Sequence, residues 1–387
     1  MPIRNRFAEL NAEITAWRHD FHEHPELQYD VHRTAGIVAE KLKEFGCDEV
    51  TTGIGKTGVV GVIKGKSNAS GRTIGLRADM DALPIKEATG LAYASKTPGK
   101  MHACGHDGHT SILLGAAKYL SETRNFDGDV VLIFQPAEEG GAGALAMCQD
   151  GLMDRWKIGE VYALHNAPGL PVGCFAIRPG PVLASSDNFQ IVLTGKGGHA
   201  AEPHQAIDIT LVAAHVLVAL QTIVSRTMNP VDRTVLTVGT LETDSDADNI
   251  IAHQVKMAGT LRTLEPENRM LAKSRIFAIA ENTALAFDAK AEIIWSEGYP
   301  VTINHDAETG HAIDAAKAVS DDVDENVDPI MPSEDFAYML EERPGAYIHL
   351  GNGDSAQCHH PAYDFNDDAI PVGCSWFVEL VEQRLKL

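Results

Sequence analysis

The sequence is short of positive charge. Its 387 residues hold 32 Lys and Arg against 54 Asp and Glu, a formal net charge of -22. Such a surface repels phosphate backbones and anionic lipid headgroups wherever salt does not screen it, which counts against nucleic acid or a membrane surface as a partner. Cysteine is sparse too. Six (Cys47, Cys104, Cys148, Cys174, Cys358, Cys374) are scattered with no dense framework, a pattern that predicts free thiols in a reducing, cytoplasmic setting. The opening stretch MPIRNRFAELNAEITAWRHDF holds no apolar run of the kind a signal segment or a spanning helix needs, and it reads as an amphipathic helix. Internal repeats, low-complexity tracts and long linkers are lacking as well. What is left, a chain 44% hydrophobic and too long for one ordinary core, predicts two domains with a cleft between them.

Histidine, by contrast, is plentiful. Several of the 17 fall beside Asp, Glu or Cys, in HDFHEHPE, HACGHDGH, LHN, GGHAAEPH and CHHP, and metal sites are built from such groups.

Up to about residue 183, strand-like apolar runs alternate with helical patterns, the rhythm of a mostly parallel α/β sheet. The strand candidates are Val59 to Ile63, Ile74 to Ala78, Val130 to Phe134 and Val161 to His165. Helices are predicted over Thr34 to Phe45, closed by Gly46, and over His109 to Ser121. RADMD, QPAEE and HN follow the carboxyl ends of those strands, where open α/β sheets place ligands. From Ala184 the order becomes β-α-β-β-α-β, which predicts a ferredoxin-like domain over 184–303 inserted into a larger one made of 1–183 and 304–387. The acidic run Glu242 to Asp248 reads as a solvated loop.

HACGHDGH offers a thiolate, an imidazole and a carboxylate within four positions, Cys104, His106 and Asp107. A thiolate suits a borderline or soft divalent ion, and imidazole suits zinc, cobalt, nickel and manganese alike. In QPAEEG, Glu138 and Glu139 follow a strand and point different ways, so one can bind metal while the other handles protons. His165 ends a buried strand and reads equally as a core histidine or a ligand. His359 and His360 are adjacent, and their chemistry alone leaves open which would coordinate. His19, His22 and His24 read as structural.

Taken together, RADMDALPI, HACGHDGH, QPAEEG, the HN after a strand, GGHAAEPH, GTLRT and PSEDFAY resemble the amidohydrolase branch of the aminoacylase-type M20 metallopeptidases, the hippurate and indole-acetyl-amino-acid hydrolases among them. The likeness runs from about residue 20 to about residue 366. It implies a catalytic domain of the two-zinc exopeptidase type, an inserted lid and dimerisation domain, and a homodimer or higher homo-oligomer. It further implies two divalent ions, manganese or zinc before cobalt or nickel, held by a bridging Cys104 and by His106, Glu139, His165 and His359. By the same resemblance Glu138 is the general base and acid, His199 supports the carbonyl oxygen from the partner subunit, and Asn249 and Arg262 bind substrate. Asp79 and Asp81 are expected to support the site without ligating. The implied reaction is hydrolysis of N-acyl amino acids, with a dipeptidase or carboxypeptidase as the alternative. Departures from the family's pattern at Glu202, in NIIAHQ and at Pro332 bear on substrate more than on reaction. A cysteine hydrolase built on Cys104 would leave Glu138 and Glu139 idle, and a non-catalytic relative would be expected to have lost a ligand or the base.

Overall fold

The run TIGLRAD, Thr73–Asp79, is buried along its whole length. A strand with no solvent face belongs to a sheet covered on both sides, and parallel pairing is how such sheets are usually built. In the computed structural model, which describes residues 5–387, this strand pairs in parallel with Asp129–Gln135 and with Glu160–Ala167. Glu160–Ala167 in turn pairs in parallel with Gly345–Gly351. Antiparallel strands extend this parallel centre, Gly58–Lys64 and then Glu49–Ile54 on one side and Phe175–Ala176 on the other, with Val323–Asp324 as the eighth strand. The fold is the predicted α/β class, and all four predicted strands fall inside observed ones.

Helix His106–Thr123 packs on the sheet and touches both Asn5–Glu23 and Ile370–Arg384. Its apolar residues Ile112, Leu113, Ala116 and Leu120 are fully buried, as are Leu76 of the sheet and Trp376 of the last helix. The amphipathic helix predicted at the N-terminus is observed from Asn5, and the first four residues of that stretch lie outside the described residues.

The chain divides into two compact units. The first holds 1–182, 303–328 and 335–387, and the second holds 183–302 and 329–334. Pro329–Glu334 was expected with the first unit. It joins the second because its backbone is tied there, Pro332 O accepting the Ala184 N–H at 2.9 Å and Ile330 bridging Leu183.

In the second unit four antiparallel strands lie in the order Thr234–Thr243, Gln254–Thr263, Asp187–Thr194, Lys290–Glu297, the ferredoxin-like arrangement. Alternation along Asp187–Thr194 buries Phe189, Ile191 and Leu193 on one face. Ala272, Ile276, Ala280 and Ala284 of helix Pro266–Leu285 join the same core at helical spacing. Helix Ile209–Thr222, started by the Asp208 carboxylate accepting the Thr210 and Leu211 N–H groups, runs on through Ile223–Thr227. By length and composition Ile209–Thr227 could span a membrane. Its Ile209, Val212, Ala213, Val216 and Leu220 are instead part of this domain's core, while Leu211 and Val218 face out.

Candidate metal centre

The parallel strands end side by side, and their carboxyl ends deliver the chemistry. Thr73–Asp79 runs into Asp79 and Asp81, Asp129–Gln135 into Glu138 and Glu139, and Glu160–Ala167 carries His165 and Asn166 in its last turn of chain. Helix His106–Thr123 begins three residues before the predicted start, which puts His106 and Asp107 in its first turn. Gly105 precedes it at φ +89°, and a Cβ there would stand 2.3 Å from Asn166 Nδ2 and 2.5 Å from the Tyr363 hydroxyl. Only glycine fits between Cys104 and His106.

Cys104, His106 and Glu139 each aim a donor atom into one volume, all within 4.8 Å of one another. Cys104 Sγ lies 3.5 Å from His165 Nε2, and Glu139 Oε1 lies 3.2 Å from His359 Nε2. The five residues expected as ligands therefore form one connected set. His165 Nδ1–H donates to the Asn166 carbonyl at 2.7 Å, which leaves the Nε2 lone pair facing the thiol. His359 holds its place through a backbone bond to Ala103 O at 2.7 Å and adopts φ +66°, a conformation that costs a non-glycine residue free energy. His360 turns its ring to the Ala362 N–H instead.

His106 is the sharpest indication that something is to be bound. Its ring is fully buried, yet among the described residues neither nitrogen has a hydrogen-bond partner; Asp81 Oδ1 stands 3.6 Å and Asp79 Oδ2 3.7 Å away. A buried polar group without partners is costly, and a divalent ion on one nitrogen would relieve it. Thiol, imidazole and carboxylate donors suit a borderline divalent ion, so the residues present fit a metal.

Electrostatics agree with that reading. Burial opposes charge on His106, but Asp79, Asp81 and Glu139 outweigh it and push the imidazole up to about 10. Burial also resists ionisation of Glu139, and His359 and His106 nevertheless hold its carboxyl below the usual range. His165 is kept neutral, well below an ordinary histidine, by burial and by the neighbouring His109. The Cys104 thiol is pushed well above its ordinary range by its hydrogen bond with Cys358 and by burial among carboxylates. A cation suits this anionic pocket, and binding one would displace protons.

Asp79, His106, His109 and His165 form a second tight group. His109 is already committed within it, since its Nδ1–H donates to Asp79 at 2.7 Å and its Nε2 accepts the Asn166 N–H at 3.0 Å. Asp79 also receives Arg77 at 2.7 Å. Asp81 spends both oxygens on backbone, accepting the N–H of Glu138 at 2.9 Å and of Glu139 at 3.1 Å. Ala137, at φ +55°, makes the bend that presents the two amides.

Residues 75–383 match Peptidase family M20/M25/M40. The chain belongs to that family. It is a hydrolase of amide bonds. It is 42% identical over 380 residues to a hippurate hydrolase of Campylobacter jejuni, covering 98% of each chain. It is also 42% identical to an N-acetyl-L-cysteine deacetylase of Bacillus subtilis, covering 97% of this chain and 89% of that one. A dinuclear metal-binding peptidase of the M20 family from Bacillus subtilis has the same fold, with a TM-score of 0.85, 33% identity and coverage of 98% and 99% of the two chains.

Of the remaining expected residues of this M20 chain, three lie in the second unit. His199 is exposed on the short strand Gly198–His199, where it pairs with Ile250. Asn249 sits beside it, its carbonyl accepting the Ala200 N–H at 3.0 Å. Arg262, half-buried on Gln254–Thr263, is on the four-stranded sheet rather than on this two-stranded one. In the first unit the HDFHEHPE histidines join none of the metal-competent groups among the described residues. His22 is buried against Asp107 at 2.8 Å, and His19 stacks on Tyr93. Sequence reasoning missed Asp335 of PSEDFAY, a fully buried carboxylate that receives Gln135 Nε2 at 2.7 Å, the Ala144 N–H at 2.9 Å and Arg77 at 3.2 Å. It anchors the strand end that carries the glutamates.

Proposed function

We propose that this protein hydrolyses the amide bond of N-acyl amino acids, acetyl, benzoyl or aryl-acetyl, at a centre of two divalent ions held by Cys104, His106, Glu139, His165 and His359. The observation that carries the proposal is the convergence of those donors around a buried His106 that has no hydrogen-bond partner among the described residues. Manganese or zinc suits the donor set best, with cobalt or nickel as substitutes. Bound ions would supply Lewis acidity at the amide carbonyl.

Glu138 is assigned the proton work. It is buried and precedes Glu139 in the chain, and the Asp81 carboxylate holds its backbone amide, so its position is set from behind. It takes a proton from the attacking water and returns it to the leaving amine. His199 stabilises the developing oxyanion, Asn249 contributes to substrate binding, and Arg262 offers a two-pronged fork for the amino-acid carboxylate.

A homodimer belongs to the same proposal, with His199 serving the site of the partner subunit. The second unit supports it by leaving Leu211, Val218, Val235, Leu241 and Ile250 exposed and by ending its sheet on Thr234–Thr243, which among the described residues is paired along one edge only. The relatives named for hippurate and N-acetylcysteine support the substrate class. The deciding assay sets N-acetyl, N-benzoyl and indole-acetyl amino acids beside dipeptides, each with added manganese, zinc, cobalt or nickel. Release of free amino acid from the N-acyl set, abolished by chelation and restored by metal, is the expected result. Turnover of dipeptides alone would replace this reading with a dipeptidase.

A further inference from the structure

Cys358 has no part in the chemistry proposed above, yet it stands against the residue on which the metal centre turns. Its Sγ lies 4.0 Å from the carbonyl oxygen of Cys104 and 3.9 Å from Asn166 Oδ1, and the amide nitrogen of the same Asn166 donates to that carbonyl at 2.5 Å. The segments that bear the two cysteines are laced together next door, the His359 N–H donating to Ala103 O at 2.7 Å. Neighbouring chains joined by a backbone hydrogen bond hold their Cα atoms at the separation a disulfide spans, about 4.4–6.8 Å. Cys358 lies in a turn outside any helix or strand, so its sulfur can move the remaining distance.

We infer that Cys104 and Cys358 form a reversible redox pair, in which oxidation by a peroxide joins the two sulfurs and withdraws Cys104 from the metals. The inference rests on the reading of Cys104 as a shared metal ligand. All six cysteines are free, and Cys358 is the more exposed of the pair. Its sulfur attacks the O–O bond of hydrogen peroxide, becoming a sulfenic acid while one water leaves. The sulfur of Cys104 then attacks the sulfenic sulfur, the S–S bond forms and the oxygen departs as a second water. Two thiols have given up two electrons and two protons, and one peroxide has become two waters. A disulfide sulfur is no longer a thiolate donor, so any ion that Cys104 holds would lose that ligand.

The test treats metal-loaded enzyme with hydrogen peroxide and follows activity, released metal and non-reduced peptide masses, with Cys358→Ser in parallel. The expected result is a Cys104–Cys358 cross-linked peptide, loss of activity in step with metal release, and recovery of activity after a thiol reductant and added metal. Cys358→Ser should keep its metals and its basal activity, form no cross-link and inactivate several-fold more slowly. Wild type that oxidises at Cys104 alone, or that inactivates at the same rate as Cys358→Ser with no cross-link, overturns the pair. If Cys104→Ser still costs the enzyme its metals, the ligand reading survives that failure. A cross-link that forms with metal content unchanged establishes the pair and overturns Cys104 as a ligand.

Discussion

Asp81 holds Glu138 in place by its backbone and not by its side chain, accepting the Glu138 N–H at 2.9 Å with one carboxylate oxygen. The other oxygen accepts the N–H of Glu139, so one buried anion fixes the turn from which two adjacent glutamates diverge. The Glu139 side chain goes to His359 and the donor set. Glu138→Gln should therefore keep its metals and lose about a hundredfold in turnover, the scale of a missing general base. Glu139→Gln should lose metal first and activity as a consequence. Metal analysis beside kcat separates the two, and reversed phenotypes would shift the motif by one residue.

The bond from Asn166 N–H to His109 Nε2 leads to a second prediction. His109 fixes the strand end that carries His165, while Asn166 Nδ2 donates to the Cys104 carbonyl at 2.5 Å and Asn166 Oδ1 accepts the Tyr363 hydroxyl at 2.8 Å. Supporting groups of this kind typically change metal affinity by about 10- to 100-fold when removed. His109→Leu should show that loss in a chelator titration, yet still bind two ions at high metal concentration. Permanent loss of one ion would make His109 a ligand.

Stability should respond to pH through His22. Burial disfavours its charged form, but hydrogen bonds to Asp107 and Glu87 raise it from 6.5 to about 9. A folded-state value above the unfolded one means stability that is fully present below pH 6.5 and lost as pH rises through about 9. The excess denaturation free energy of wild type over His22→Gln should accordingly shrink between those limits, by at most about 1.4 kcal/mol per pH unit. A pH-independent difference would show that the pair does not titrate on unfolding.

These cases also show what a sequence can and cannot convey. Thr73–Asp79 was readable because a short apolar run bounded by turn residues has few other fates, and so were the alternations of the second unit. Strand Gly345–Gly351 was not, because GAYIHLG mixes glycine and histidine into a buried strand whose identity comes from pairing with Glu160–Ala167. Helix Asp306–Val319 carries a stripe of Thr309, Ala312, Ala315, Ala316 and Val319 whose spacing could have revealed it, though small residues make a faint signal. Cys104 and His106 were legible as types and spacing, while the choice of Glu139 over Glu138 came with the family resemblance. The supports of this group were not legible. Arg18 reaches Asp107 at 3.2 Å and Asp367 at 2.5 Å across the length of the chain, and Asp335 reaches Arg77 and Gln135 in the same way. No local pattern encodes a contact of that range.

The last prediction concerns His199, exposed on its two-stranded sheet beside Asn249. If it serves the partner subunit, two inactive proteins should repair each other. His199→Ala retains Glu138, and Glu138→Gln retains His199. A mixed dimer of the two holds one site with both residues and one with neither, because a twofold interface makes the exchange reciprocal. Random re-pairing gives about half mixed dimers, half of whose sites are intact, so activity should climb to about a quarter of wild type. Mass-tagged partners establish independently that subunits have exchanged. Exchange without recovery would mean that His199 acts within its own chain or takes no part, and the apolar patch of Leu211 and Val218 would then need another explanation. Recovery to that level would tie the exposed patch and the exposed histidine to one cause, since covering the first is what delivers the second.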